Sequence, residues 1–247
     1  MQGSRATVVK AEWAVPLPVP RGGVAPRDTG TANGAGVDTR VARTLQDTIR
    51  AIALIVEMRD PYTAGHQRRV AELSFTIARQ LGMPTDDQEG VRFAALVHDL
   101  GKLHVPAEIL AKPGRLTPEE RRIVALHRQA GFEILKVLGF PWPIAQVACQ
   151  HHERRDGSGY PYGRQGDEIH PAAYIVAVAD VVGAMASHRP YRAALGMDTA
   201  RAEIVAGKGL RYQHAVVESC LAVLEKGVGW WSTDPAGARP ERADVWA

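Results

Sequence analysis

The sequence predicts an all-α fold, and three observations carry that prediction. Apolar residues recur at spacings of three and four through the middle of the chain. Helix starts are marked by capping signatures, most clearly "TPEE" at residues 117–120. No stretch shows the apolar–polar alternation of a half-buried strand. With 247 residues, 45% of them apolar, the chain can build one sizeable domain.

Taken in order, residues 1–39 contain "PLPVPRGGVAPRDTGTANGAG" and can bury too little apolar surface to offset their ordering entropy, so disorder is expected. From Val41 a helical stripe begins, with Val41, Leu45, Ile49, Ile52, Ile55 and Val56. A second helix is expected from Thr63 to Leu81, with Val70, Leu73, Ile77 and Leu81 facing inward and Gly82 ending it. "TDDQ" (Thr85 to Gln88) reads as a capping box that opens a third helix, running towards "ALVHDLGK". In "TPEE", Thr117 is the N-cap, Pro118 takes the first helical position and Glu120 reaches back. The same helix should carry Ile123, Leu126, His127, Ala130, Ile134 and Leu138. Another is expected from near Pro143 to about His152, followed by a glycine-rich loop over residues 153–169. A helix from Pro171 to Ser187 comes next, Asp198 caps one more, and the tail from residue 227 reads as loose. The expected organisation is one domain over residues 40–226 between tails of 1–39 and 227–247, without an internal repeat.

Composition excludes several classes. The formal net charge is only +3, with acids interspersed among the basic residues, so a nucleic-acid polymer is not the expected partner. The longest apolar run, Ala172 to Ala179, is too short to cross a bilayer, and the N-terminus lacks the apolar region of a signal peptide. Cys149 and Cys220 make no disulfide framework. These features predict a cytoplasmic protein without a membrane segment.

The chemistry lies in the histidines. Of nine, five fall on expected helices beside or opposite aspartates: His66, His98, His127, His151 and His152. Asp99 follows His98, and Asp180 interrupts the apolar "AVADVV". One histidine on a helix is ordinarily a surface or satisfied core residue. A carboxylate inside an apolar helix is less ordinary, because its burial is costly without a partner or a metal. Helices packed about 8–10 Å apart could aim these side chains into one centre. Imidazole nitrogens with carboxylate oxygens suit manganese, iron or zinc, and the lack of cysteine ligands argues against a structural thiolate zinc site.

These residues resemble the HD-GYP domain, a branch of the HD phosphohydrolase superfamily. The likeness runs through "RDPYTAGHQRRVAEL", "ALVHDLGKLHVPAEILAKPGRLTPEE", "LHRQAGFEIL", "HHERRDGSGYP" and "AVADVVGAMASHRPYR", roughly residues 41–225. It implies a helical cyclic di-GMP phosphodiesterase that hydrolyses its substrate to pGpG, with a further cut to GMP left open. The implied cofactors are two divalent ions, iron or manganese, which activate a hydroxide. His66, His98, Asp99 and Asp180 are the implied ligands of one ion; Asp99 bridges to a second, completed by His127, His151 and His152. Lys102 is the implied charge stabiliser beside Asp99. Arg155, Gly159, Tyr160, Pro161, Arg189 and Arg192 are the implied substrate contacts, and the GYP loop is a candidate contact for a GGDEF-domain cyclase. His104, His170, His188 and His214 fall outside the ligand positions.

The chain also departs from the pattern. Relatives with a third metal carry a carboxylate four residues before the first histidine; Tyr62 stands there, which favours two ions. Gly183 replaces a frequent second aspartate after Asp180, and Tyr174 stands where arginine is frequent. A second reading keeps the fold and lets the domain signal by binding nucleotide or protein with little hydrolysis.

Overall fold

The computed structural model describes residues 34–60, 65–187 and 195–227, and the side chains among them except those of 34–43, 45 and 46. The expected disordered segment up to residue 33 and the tail from 228 lie outside the described residues, as do Tyr62, His188, Arg189 and Arg192. The chain divides into two compact units, Met1–Arg40 and Val41–Ala247, and the buried core belongs to the second.

The described residues form α-helices, 3₁₀ turns and two isolated bridges, with no strand among them. Helix α1 spans Gly34–Arg59, α2 His66–Gln80, α3 Thr85–Val97, α4 Ala107–Leu110 and α5 Pro118–Ala125. Then come α6 His127–Leu135, α7 Ile144–Gln150, α8 Pro171–Ala186, α9 Met197–Ala206 and α10 His214–Glu225. A 3₁₀ turn, Leu100–His104, lies between α3 and α4. No described helix is long and apolar enough to cross a membrane.

Helix α8 is the axis. Ala172 through Ala179, Val182 and Gly183 are all buried, the all-round apolar pattern of a central helix. Helices α2, α3, α7, α9 and α10 pack on it. Pro171 opens it at its first position, and the His170 ring accepts a hydrogen bond from the Ala172 amide, which gives that histidine a capping role. Tyr174 is buried, and its hydroxyl donates to the Gly166 carbonyl at 2.7 Å, tying α8 to the end of the glycine-rich loop.

Several sequence expectations need correction. Thr85 is the first helical residue of α3 and not a cap; Pro84 precedes it, and the Gln88 side-chain amide donates to the Met83 carbonyl instead of closing a box. The box at Thr117 forms as expected: Thr117 Oγ1 accepts from the Glu120 amide and Glu120 accepts from the Thr117 amide. The helix it opens is not continuous. It breaks at Leu126, and the inward face of α6 becomes His127, Arg128, Gly131 and Leu135. Ile123, Leu126, Ile134 and Leu138, the apolar residues expected on that helix, are exposed. Ile55 is exposed on α1, where Ile49 and Val56 take the core. Asp198 lies within the first turn of α9, whose cap is Gly196, and α10 is a helix that the sequence reading does not contain.

Candidate metal centre

The centre is assembled from helix ends. His98 is the C-cap of α3, His151 is the C-cap of α7, and His127 follows the break that ends α5. A helix C-terminus leaves carbonyls without an amide partner, and each of these rings uses one. The Nδ1 atoms of His98, His127 and His151 lie 2.7, 2.6 and 2.7 Å from the carbonyls of Ala95, Val124 and Ala148, three residues back each time. A carbonyl can only accept, so Nδ1 carries a proton, and whenever the ring is neutral Nε2 presents its lone pair. All three Nε2 atoms are buried without a hydrogen-bond partner. This is the arrangement in which a histidine's second nitrogen orients the ring for a metal. It also explains the break before His127, since the ring takes the Val124 carbonyl at the helix end.

His66 opens α2, and Asp180 projects from α8 to meet it, with Nε2 and Oδ1 3.1 Å apart. Gly183, one turn further along α8, lies under the same ring; a Cβ there would sit 3.2 Å from His66 Cε1. Asp99 faces both halves of the cluster. Its Oδ2 is 3.3 Å from His98 Nε2 and its Oδ1 is 3.4 Å from His127 Nε2. Three groups of ligand atoms lie within 4.8 Å of one another: His66, His98 and Asp180; His98, Asp99 and His151; His127, His151 and His152. Together they contain each of the seven side chains singled out from the sequence, with Asp99 in the middle group. The donors are nitrogen and oxygen, all but His152 and Asp180 fully buried. The Nε2 atoms without a hydrogen-bond partner fit an ion, which would take up their lone pairs.

The electrostatics point the same way. Burial pushes the imidazoliums of His127 and His152 down to about 4 and about 3, so these rings are neutral and free to ligate at physiological pH. Burial also holds His66 and His151 below the usual range. Burial lowers His98 as well, but the carboxylates of Asp99 and Asp180 outweigh it and lift it to about 9. Burial alone would raise Asp99 and Asp180; the Lys102 ammonium and His98 beside the first, and His66 and His98 beside the second, hold both well below the ordinary carboxylate range. Two ionised carboxylates in a buried pocket call for cations.

Lys102 supplies one. It lies in the 3₁₀ turn, with Nζ 2.9 Å from Asp99 Oδ2 and 3.2 Å from Asp60 Oδ2. Gly101 makes this possible: a Cβ there would lie 1.7 Å from the His127 carbonyl and 2.5 Å from the Gly131 amide, so only glycine lets the turn meet α6 backbone to backbone. Asp60, buried at the end of α1, is assigned no role from the sequence, although it stands in "RDPYTAGH".

The loop after His152 is clamped by a second unanticipated acid. Glu153 is buried, and its carboxylate accepts from the amides of Tyr162 and Arg164 at 2.8 and 3.0 Å. Gly159 packs on that backbone, where a Cβ would lie 2.3 Å from the Arg154 amide nitrogen. Tyr160 is thereby laid beside His152, ring centroids 5.0 Å apart, while Pro161 continues the turn. Arg155 is exposed and directed elsewhere: its guanidinium donates to the Gly209 carbonyl between α9 and α10. Among the described residues His104, His170 and His214 take no part in the ligand groups.

The chain is similar to known proteins. The family described as "HD domain" is matched over residues 50–216. The chain is 38% identical over 200 residues to the "Cyclic di-GMP phosphodiesterase response regulator RpfG" of Xanthomonas campestris pv. campestris (strain 8004), covering 79% of this chain and 52% of that protein. It is 41% identical over 184 residues to the "3'3'-cGAMP-specific phosphodiesterase 3" of Vibrio cholerae serotype O1 (strain ATCC 39315 / El Tor Inaba N16961), covering 74% and 39%. The chain thus spans about half the length, or less, of these relatives. In fold it is similar to "Bd1817, a HDG"Y"P protein from Bdellovibrio bacteriovorus", with TM-score 0.54 at 20% identity over 65% of this chain and 51% of that one.

Proposed function

From a chain that belongs to the HD domain family and carries the GYP loop of its HD-GYP branch, we propose a metal-dependent phosphodiesterase that opens cyclic di-GMP. One observation carries the metal reading: three buried imidazoles whose Nδ1 atoms are fixed by carbonyls and whose Nε2 atoms lack a hydrogen-bond partner, gathered around a carboxylate. In this reading His66, His98, Asp99 and Asp180 hold one divalent ion, and Asp99, His127, His151 and His152 a second. Iron and manganese both suit this donor set. Bound there, such a pair supplies an activated water and offsets charge on the phosphoryl group.

The chain's own residues do the rest. Asp99 turns one oxygen to each half of the cluster, the placement a bridging ligand needs. Burial would strip the proton from Lys102, but Asp99 and Asp60 raise its pKa above the ordinary lysine value. It therefore stays an ammonium and acts by charge, stabilising the phosphoryl oxygens or the departing 3′ oxygen rather than giving up its proton. In the overall reaction water adds to one phosphorus, the bond from phosphorus to the 3′ oxygen breaks, and that oxygen leaves with a proton, giving linear pGpG. Repetition at the remaining ester gives GMP.

Gly159, Tyr160 and Pro161 edge the centre and are assigned to the substrate side, with Arg189 and Arg192 as candidate contacts outside the described residues. Arg155 contacts substrate only if it releases Gly209. The exposed Tyr162 leaves the loop open to a GGDEF-domain partner. The catalytic domain in this reading is residues 40–226, working in the cytoplasm with both cysteines free. A second substrate, 3′3′-cGAMP, is favoured by the relative of that specificity, as similar to this chain as the cyclic di-GMP enzyme. The test is turnover of both dinucleotides by iron- or manganese-loaded protein, with chromatography of the products. Bound metal without linear product from either substrate removes the enzymatic reading; faster cleavage of 3′3′-cGAMP replaces the first substrate with the second.

A further inference from the structure

His152 is held differently from its neighbours. His98, His127 and His151 each anchor Nδ1 on a backbone carbonyl, and His66 bonds Asp180. Among the described residues, no side-chain or backbone group makes a hydrogen bond to the His152 ring. The torsion that turns an imidazole about its axis is broad and roughly two-fold, so without an anchor the ring could turn its donor nitrogen away. What faces the ring is Tyr160. The two rings are nearly parallel, 16° apart, with centroids 5.0 Å apart. The tyrosine is placed by its own backbone: its amide donates to the His152 carbonyl at 3.3 Å, and Gly159 allows the chain to double back.

Arg128 holds the tyrosine in turn. Its guanidinium carbon lies 3.5 Å from the Tyr160 ring centroid, well inside cation–π range. The residue is only 3% exposed, and its Nε and Nη1 are buried without a hydrogen-bond partner, so the aromatic face is its main neighbour. Arg128 follows His127 on α6, which makes the stack a strut from one expected ligand's helix to another's ring.

We infer that Tyr160, braced by Arg128, is the positioning residue for His152, replacing by ring stacking the carbonyl anchor that His98, His127 and His151 have. The inference rests on the two-ion reading above. It gives the tyrosine of the GYP loop a task at the metal centre, separate from any contact with substrate. The consequence is selective: losing the stack should weaken the ion held by His127, His151 and His152 and leave the ion held by His66, His98 and Asp180.

Calorimetric titration of the metal-free full chain with Mn²⁺ tests this. Wild type is expected to bind two ions. Tyr160→Phe, which keeps the stacking face, should bind both as wild type does. Tyr160→Ala should weaken one ion about tenfold or more, the usual effect of losing an outer partner of a ligand, and leave the other within about twofold. Arg128→Leu should weaken the same ion by a smaller factor. Tyr160→Ala binding both ions as wild type does, or weakening both alike, overturns the inference. Wild type that binds no Mn²⁺ sinks the metal reading itself, so the two failures are told apart. Tyr160 is 45% exposed, so its truncation leaves the core intact; circular dichroism of each variant confirms the fold.

Discussion

Asp99 and Lys102 touch, yet their removal should have different consequences. Asp99→Ala takes away the carboxylate that faces both His98 and His127, which in the proposed two-ion centre would leave two like-charged ions with no common neutraliser. Hydrolysis should vanish and metal content should fall; retention of both ions at full rate would exclude the bridge. Lys102→Ala removes a charge but no ligand, so metal analysis should be unchanged while the rate falls by about a hundredfold, the scale of a lost stabilising donor. The same residues set a pH dependence. His98, lifted to about 9 by Asp99 and Asp180 against its burial, must lose its proton before Nε2 can ligate. Below that value ion binding releases a proton, so apparent affinity should rise with pH and level off near 9. His127 and His152, near 4 and 3, do not compete in that window. Calorimetry in buffers of different ionisation enthalpy would count the released proton, and a pH-independent affinity would contradict the assignment.

The elements differ in how much they bear on the centre. Thr117 caps α5 at the surface, so Thr117→Ala should cost about 1 kcal/mol of stability and leave metal binding alone. Gly101→Ala drives a methyl into the backbone of α6, where no side chain can yield. It should cost about 3 kcal/mol or more, and in any folded fraction displace His127 and release metal. Urea denaturation read beside metal content separates the two; equal effects from both variants would mean the turn and α6 do not meet as described. The break between α5 and α6 belongs to this scale as well. Periodicity alone runs straight through Leu126, because helical spacing cannot register a side chain taking a backbone carbonyl. The apolar residues expected along that helix, Ile123, Leu126, Ile134 and Leu138, lie exposed.

For the molecule as a whole, the all-α class was legible because apolar residues recur at helical spacing through the described residues and the box at Thr117 forms, although the caps expected at Thr85 and Asp198 do not. The seven clustered side chains were legible through motif order, above all the pairing of "HD" with "HH" and the acid inside an apolar helix. Asp60, Glu153 and Arg128 were not, because their partners lie on other elements or on amides of a folded loop, which no local pattern announces. The proposed domain, residues 40–226, should bind metal and turn over substrate as the full chain does; loss of either in a folded fragment would extend the domain. The placing of three rings at helix C-termini has a further outcome. Such ends ordinarily fray first, and here metal loading would bolt them down. Chelation should therefore speed deuterium uptake at backbone amides around 95–99, 124–128 and 148–152 before it does so along the middle of α8, making amide exchange a gauge of occupancy.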